Sequence, residues 1–499
     1  MRPLIQEIQT AHTPETLVEQ LRGEPGVVLL RSSAFDSPSA RYSFVAANPF
    51  LTFRSFGSRC EIISGHQPST PKLQLQFGNP WQILDALLAR CELLDEIDLP
   101  FPLGGAFGYW GYDLKNFSEP KLSRRAVNDL ELPDCNVGFY DSVVVFDHRL
   151  GQAFVVSTGL DADGSRSETR AGDRLDFWRG QLESALGQVF PPAGLESPVN
   201  QQAGKPALRS NLLRADFLAA VERAQRYIRA GDIYQVNLSQ RLAAQCGLSG
   251  WELFQRLSAV SPSPFSAFFD CGGFQLASSS PELFLRLSGS HIQTRPIKGT
   301  RPRHADPTRD AQLAYELQTS AKELAELVMI TDLLRNDLGK VCEYGSVQTP
   351  DLARLEKFAQ VQHLVSTVEG RLRADVTHLA ALAACFPGGS ITGAPKFRAM
   401  EIIDELEPLS RGPYCGCHGY LGFNRESQLS ITIRTAVCQE GMAYFHAGAG
   451  IVADSLPAAE YEETLAKAAG FLAALQVAER RVEISPAHRA GLGDEKKMS

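Results

Sequence analysis

The chemistry this chain could perform gathers on one lysine and two pairs of acids. Lys298 lies in Thr294-Arg295-Pro296-Ile297-Lys298-Gly299-Thr300-Arg301-Pro302-Arg303, a stretch with three arginines and no acidic residue. Its prolines fix φ and Gly299 permits a sharp bend, so the stretch reads as a rigid loop leaving a strand. An amine held in place and crowded by cations loses its proton more readily than a free one, which suits a nucleophile or base. A basic surface loop is the competing reading. Glu323 and Glu326 stand at i, i+3, and Glu460, Glu463 and Lys467 at i, i+3, i+7, so each set shares one helix face. Such acids are often solvated surface. If the two pairs instead face each other across a cleft, their carboxylates repel unless a cation holds them. Oxygen-only ligands suit Mg²⁺, which bridges carboxylates to an anionic substrate.

These residues need elements to position them. A helical pattern runs from Gln312 to Asp337, and another opens near Ser455-Leu456-Pro457, with proline suited to a first turn, and continues through Leu475. Ile233 to Gln240 alternates with period two and puts Gln235, Asn237 and Ser239 on one face. Leu429 to Arg434 alternates likewise. Arg434, at the end of its polar face, could grip a carboxylate bidentately or be an exposed edge charge. Phe386 to Lys396 is a glycine-rich turn feeding a helix over Phe397 to Leu406, and its free N–H groups and Lys396 suit an anion. The order of residues is not that of a Walker A loop. Gly448-Ala449-Gly450 offers a second close backbone approach. The residues alone indicate a metal-assisted site for a small, multiply anionic substrate with a lysine at its centre.

The wider chain reads as α+β, because strands and helices mix without regular β-α-β alternation. The first ~150 residues read as strands such as Val27 to Leu30, Tyr42 to Ala46 and Val143 to Asp147, with a helix over Trp81 to Leu94. Gly104 to Asp113 is glycine-rich without the context of a phosphate loop, which fits close strand packing. Residues 1–157 read as an amino-terminal lobe and 158–206 as a polar linker with a helix near Leu175 to Leu186. The catalytic region is read as 207–480 and a disordered tail as 481–499.

A net charge of −8, without any long basic run, argues against a nucleic-acid partner. No apolar run approaches a membrane span, and Met1 to Gln20 has neither a signal-peptide core nor an Arg-rich transit pattern. Ten scattered cysteines point to reduced thiols in the cytosol. Cys415-Gly-Cys417-His418 lacks the second cysteine pair of a zinc site and reads as a strand with small buried side chains.

In five segments the chain resembles the chorismate-utilising enzymes: Gly231 to Leu238, Pro296 to Thr300, Asp332 to Asp337, Pro387 to Lys396 and Ala459 to Thr464. The resemblance runs from Ser32 to about Leu475. It implies two large antiparallel sheets packed as a sandwich, with flanking helices and the active site between the sheets. By motif, Glu326 and Glu463 resemble the Mg²⁺ ligands, with Glu323 and Glu460 beside them. Arg434, Tyr414, Gly448 and Lys467 fall where the family holds substrate carboxylates, Thr300 and His363 line the pocket, and Glu282 matches the acid that expels the ring hydroxyl. Gln235 stands where water-using members carry a lysine, which implies ammonia as nucleophile. Lys298 stands where anthranilate-forming members typically carry alanine, which implies the branch that aminates chorismate at C4 through a covalent lysine adduct.

No glutaminase-type cysteine elbow is present, so the resemblance implies ammonia from a separate glutamine amidotransferase subunit. Ser32, Arg41 and Tyr42, with Pro264, Phe265 and Ser266, resemble a tryptophan pocket or are plain core. Leu30-Arg31-Ser32 departs from the Leu-Glu-Ser of feedback-inhibited members. Anthranilate formation is the rival reading. A silent tryptophan-binding relative is a remote one, since Glu282, Lys298, Glu326, Arg434 and Glu463 are all present.

Overall fold

The structure, a computed structural model, describes residues 2–32, 41–65, 72–93, 99–184, 208–357, 361–476 and the backbone of 482–484. Alternation with period two builds two sheets, one of 13 strands and one of 12. Both are antiparallel, apart from Leu208–Ser210 pairing parallel with Val482–Ile484. Helices flank them, as an α+β fold requires. Successive side chains of a strand point to opposite faces. Thus Val143 and Val145 enter a core shared by both sheets, together with Phe53 and Val137 of the second sheet. Val144 and Phe146 face outward into a second core under helices Pro14–Gln20, Gly250–Val260 and Pro457–Leu475.

Several local expectations come out differently. The pattern from Gln312 to Asp337 is two helices, Pro307–Gln318 and Ala321–Gly339. Ser320 starts the second, its hydroxyl accepting from the Glu323 N–H at 3.4 Å, as an N-cap does. The helix expected from Trp81 to Leu94 spans Pro80–Ala89, and Leu94 lies outside the described residues. The helix expected near Leu175 to Leu186 in the polar stretch is present but spans Glu168–Glu183, and its Trp178 is fully buried and donates to Ser142 Oγ at 3.0 Å. Residues 185–206 of that stretch, and 481 and 485–499 of the tail, lie outside the described residues. Close strand packing at Gly104 to Asp113 is as expected, since a Cβ on Gly108 would lie 2.1 Å from the Asn136 carbonyl oxygen.

Candidate active site

Lys298 sits on a strand, and the expected loop is absent. His291–Arg295 and Ile297–Pro302 are strands that both pair with Val361–Arg371. Lys298 pairs with Leu364 and Thr300 with His363, so Gly299 is the extra residue of a β-bulge. Gly299 has φ +68°, and a Cβ there would meet Leu317 Cδ1 at 2.6 Å, so any side chain at this position is strained. With the bulge in place, Thr300 Oγ1 lies 2.9 Å from His363 Nδ1, and Lys298 Nζ lies 4.0 Å from Glu326 Oε2. The arginines do not crowd the lysine, because each has a carboxylate of its own. Arg295 pairs with Glu356, Arg301 with Glu323 at 3.5 Å and Arg303 with Asp310 at 2.8 Å.

The two acid pairs share one electrostatic field. Burial pushes the Glu326 carboxyl up from its ordinary value, Lys298 opposes this, and the charges of Glu323 and Glu463 add to the rise. Glu460 is raised by burial too, with Glu463 adding repulsion and a Ser455 hydrogen bond opposing it. Side-chain cations offset the charge: Lys467 Nζ stands 2.7 Å from Glu463 Oε1 and donates to the Gly448 carbonyl at 2.8 Å. Among the described residues, no three His, Cys, Asp or Glu side chains are already arranged around a metal position. The donor set nonetheless fits a hard divalent cation, being carboxylate oxygens from two helices whose mutual repulsion a cation would relieve.

The walls follow from strand register. Glu282 is 7% exposed, and burial raises its carboxyl, against a hydrogen bond to Ser390 and the nearby charge of Lys298. Ser390 was not singled out from the sequence, although it lies inside the glycine-rich turn. Strand Gln235–Gln245 runs beside Met442–Ile451, which sets Asn237 opposite Gly450 and Ser239 opposite Gly448. A Cβ on Gly448 would lie 2.8 Å from Tyr414 Oη and 3.0 Å from Asn237 Oδ1, while one on Gly450 would lie 2.3 Å from Gln235 Nε2. The two glycines therefore make room for Tyr414 and Gln235. The side-chain oxygen of Gln235 is buried without a hydrogen-bond partner and is free to accept from a bound donor.

Arg434 lies beyond the end of strand Glu426–Ile431, in a bend with φ 51°. It is accessible to solvent, yet burial lowers its pKa and its charge reaches His363, itself lowered by burial. Accessibility combined with desolvation describes a side chain on the wall of a concave site. Lys396 differs from expectation. Its ammonium is spent on Asp337 at 2.5 Å and the Cys385 carbonyl at 2.9 Å, so it is not available to an anion.

At the amino-terminal side, Ser32, Tyr42, Pro264, Phe265 and Ser266 line one small cavity with His418. Arg41 is not brought into it and instead pairs with Asp147 at 2.6 Å. Arg31 pairs with Glu15.

The chain matches the family model described as chorismate binding enzyme over residues 32–473. It is 38% identical over 468 residues to anthranilate synthase component 1 of Acetivibrio thermocellus, covering 93% of each chain. It is 41% identical over 449 residues to aminodeoxychorismate synthase component 1 of Klebsiella aerogenes, covering 90% of this chain and 93% of that one. The crystal structure of anthranilate synthase component I from Streptococcus pneumoniae superposes with a TM-score of 0.71 at 30% identity, covering 88% of this chain and 94% of that chain. With the match spanning most strands of both sheets and every wall of the site, the chain belongs to the chorismate-binding enzyme family.

Proposed function

We propose that this enzyme aminates chorismate at C4 to give 4-amino-4-deoxychorismate, through a covalent adduct on Lys298. The observation that carries the reading is the placement of Lys298 between a buried acid, Glu282, and a carboxylate, Glu326. The unprotonated lysine nitrogen attacks C2, and both ring double bonds shift along the ring toward C4. The C4–O bond breaks, and the hydroxyl leaves as water with the proton of Glu282. Ammonia then forms a bond to C4, both double bonds shift back, the C2–N bond breaks to return the lysine, and the proton shed by the new amine restores Glu282. Two easier displacements replace one difficult one. A carboxyl raised by burial is suited to hold the proton this step needs.

Arg434, Tyr414 and the Gly448 backbone would hold the substrate carboxylates, with Lys467 beside them and Thr300 and His363 on the wall. Gln235 offers its unpartnered oxygen to ammonia. Glu326 and Glu463, flanked by Glu323 and Glu460, would hold Mg²⁺, which when bound offsets the negative charge of the substrate. Glutamine-derived ammonia requires an accessible thiolate. All ten cysteines are buried, which supports delivery by a separate amidotransferase subunit. The same unpaired thiols support a reducing, cytosolic setting, and no helix among the described residues is long and apolar enough to cross a membrane.

Amination at C2 to anthranilate is the second reading, favoured by the 38% identity to the Acetivibrio thermocellus protein. Lys298 stands against it. The test is product identity, with chorismate, Mg²⁺ and ammonium followed by mass spectrometry, with and without a lyase that releases p-aminobenzoate. p-Aminobenzoate that appears only with the lyase supports C4 amination, and anthranilate overturns it.

A further inference from the structure

Behind the site lies a buried ion pair that the proposed reaction does not use. Arg411 and Glu407 are 2% and 5% exposed. The guanidinium meets both carboxylate oxygens, Nε donating to Oε2 at 2.8 Å and Nη2 to Oε1 at 2.7 Å. Such a pair is weak evidence for stability, because desolvating two charges offsets much of their attraction. Its other contacts are more telling. Nη2 also donates to the Asn237 carbonyl at 2.7 Å and Nη1 to the Ile391 carbonyl at 3.3 Å. The guanidinium lies 4.7 Å from the ring centroid of Tyr112 and 5.6 Å from that of Tyr414. Glu407 Oε1 accepts in turn from the Ser239 N–H at 2.8 Å and its hydroxyl at 2.9 Å.

Three of these contacts adjoin walls of the site. Asn237 shares a strand face with Gln235 and hydrogen-bonds Tyr414. Ile391 follows Ser390, the partner of Glu282. Tyr414 is the side chain for which Gly448 makes room. One planar cation therefore ties together three segments far apart in sequence.

We propose that Arg411, held by Glu407, is a positioning residue that fixes the spacing of the Gln235–Asn237 wall, the Ser390 turn and Tyr414. It touches no reacting group itself. The inference rests on reading this cleft as the chorismate site. Rigid multi-point tethering is what a site needs when a displacement of about 1 Å can lower turnover by about 10²-fold.

The test compares Arg411→Met, Glu407→Gln and the double variant with wild type, reading Tm together with kcat and KM for chorismate consumption. Arg411→Met leaves a buried carboxylate unpaired and lowers Tm, and adding Glu407→Gln removes that charge and restores much of the loss. The double variant keeps kcat down by about 10²-fold despite its recovered Tm. A double variant whose kcat returns along with its Tm makes the pair merely structural and overturns the proposal. Consumption is followed whatever the product, so the result does not depend on C4 or C2 amination. A wild-type chain that leaves chorismate untouched sinks the functional reading instead. Chorismate affinity by calorimetry then decides on Arg411: weaker binding by the double variant is expected, and unchanged binding overturns the proposal.

Discussion

Lys298 Nζ stands 4.0 Å from Glu326 Oε2, with both side chains 17% exposed. The candidate nucleophile thus faces a candidate metal ligand and not the arginines that flank it in sequence. Lys298→Ala removes the attacking amine and also a cation that competes for Glu326. The expected outcome is amination abolished or redirected, with Mg²⁺ affinity undiminished. Product analysis and calorimetry with Mg²⁺ check it, and unchanged product formation by the variant removes the covalent role.

Glu282→Gln tests the proton donor. Loss of a general acid lowers turnover by about 10²–10⁴-fold. The folded-state pKa of Glu282 is raised by burial. Its contribution to stability is therefore present below the unfolded-state value and lost as pH rises through the raised value. Glutamine has no such loss, so the variant should be more stable than wild type at neutral pH despite its lowered turnover. Thermal unfolding across pH checks this, and a variant less stable at neutral pH contradicts it.

Gly448→Ala puts a Cβ 2.8 Å from Tyr414 Oη, closer than side-chain atoms tolerate. Tyr414 is buried and must shift, at a cost of about 1–3 kcal/mol. We expect a raised KM for chorismate with a modest fall in Tm. A variant with wild-type KM would remove Tyr414 from the carboxylate wall.

Two buried histidines predict acid sensitivity. Burial lowers the pKa of both His378 and His418 to about 4 from 6.5. Their neutral forms are held in place: His378 lies between Ser427 and the Gly289 carbonyl, and His418 faces Thr432 and the Phe265 carbonyl. Because the folded pKa is depressed, the stability is present above the unfolded value and is lost as pH falls toward about 4. Each histidine should contribute roughly 1.4 kcal/mol of lost stability per pH unit in that window. Denaturant unfolding of His418→Gln should show a shallower decline than wild type, and an identical slope contradicts the assignment.

Much of this architecture is legible in the sequence. Period-two strands without β-α-β alternation give α+β, and the Glu-x-x-Glu spacing gives two carboxylate faces that share one field. What escapes a sequence reading is set by partners far along the chain. The Gly299 bulge exists only against Val361–Arg371, and Thr300 meets a histidine 63 residues away. Lys396 reads as a free cation until Asp337 is seen to bind it. Ser390 gains meaning only from Glu282. The split at Ser320 was legible, because a serine three residues before a glutamate is a helix-start signal, but the apolar periodicity running through it masked the break.

The central claim is a covalent bond between Lys298 and the substrate ring. Mixing the enzyme with chorismate and Mg²⁺ without ammonia, quenching rapidly and mapping peptides by mass spectrometry tests it most directly. The predicted result is Lys298 carrying the mass of chorismate less one water, with the adduct discharged by added ammonium. An unmodified Lys298 under conditions in which ammonium yields full single-turnover product contradicts the account.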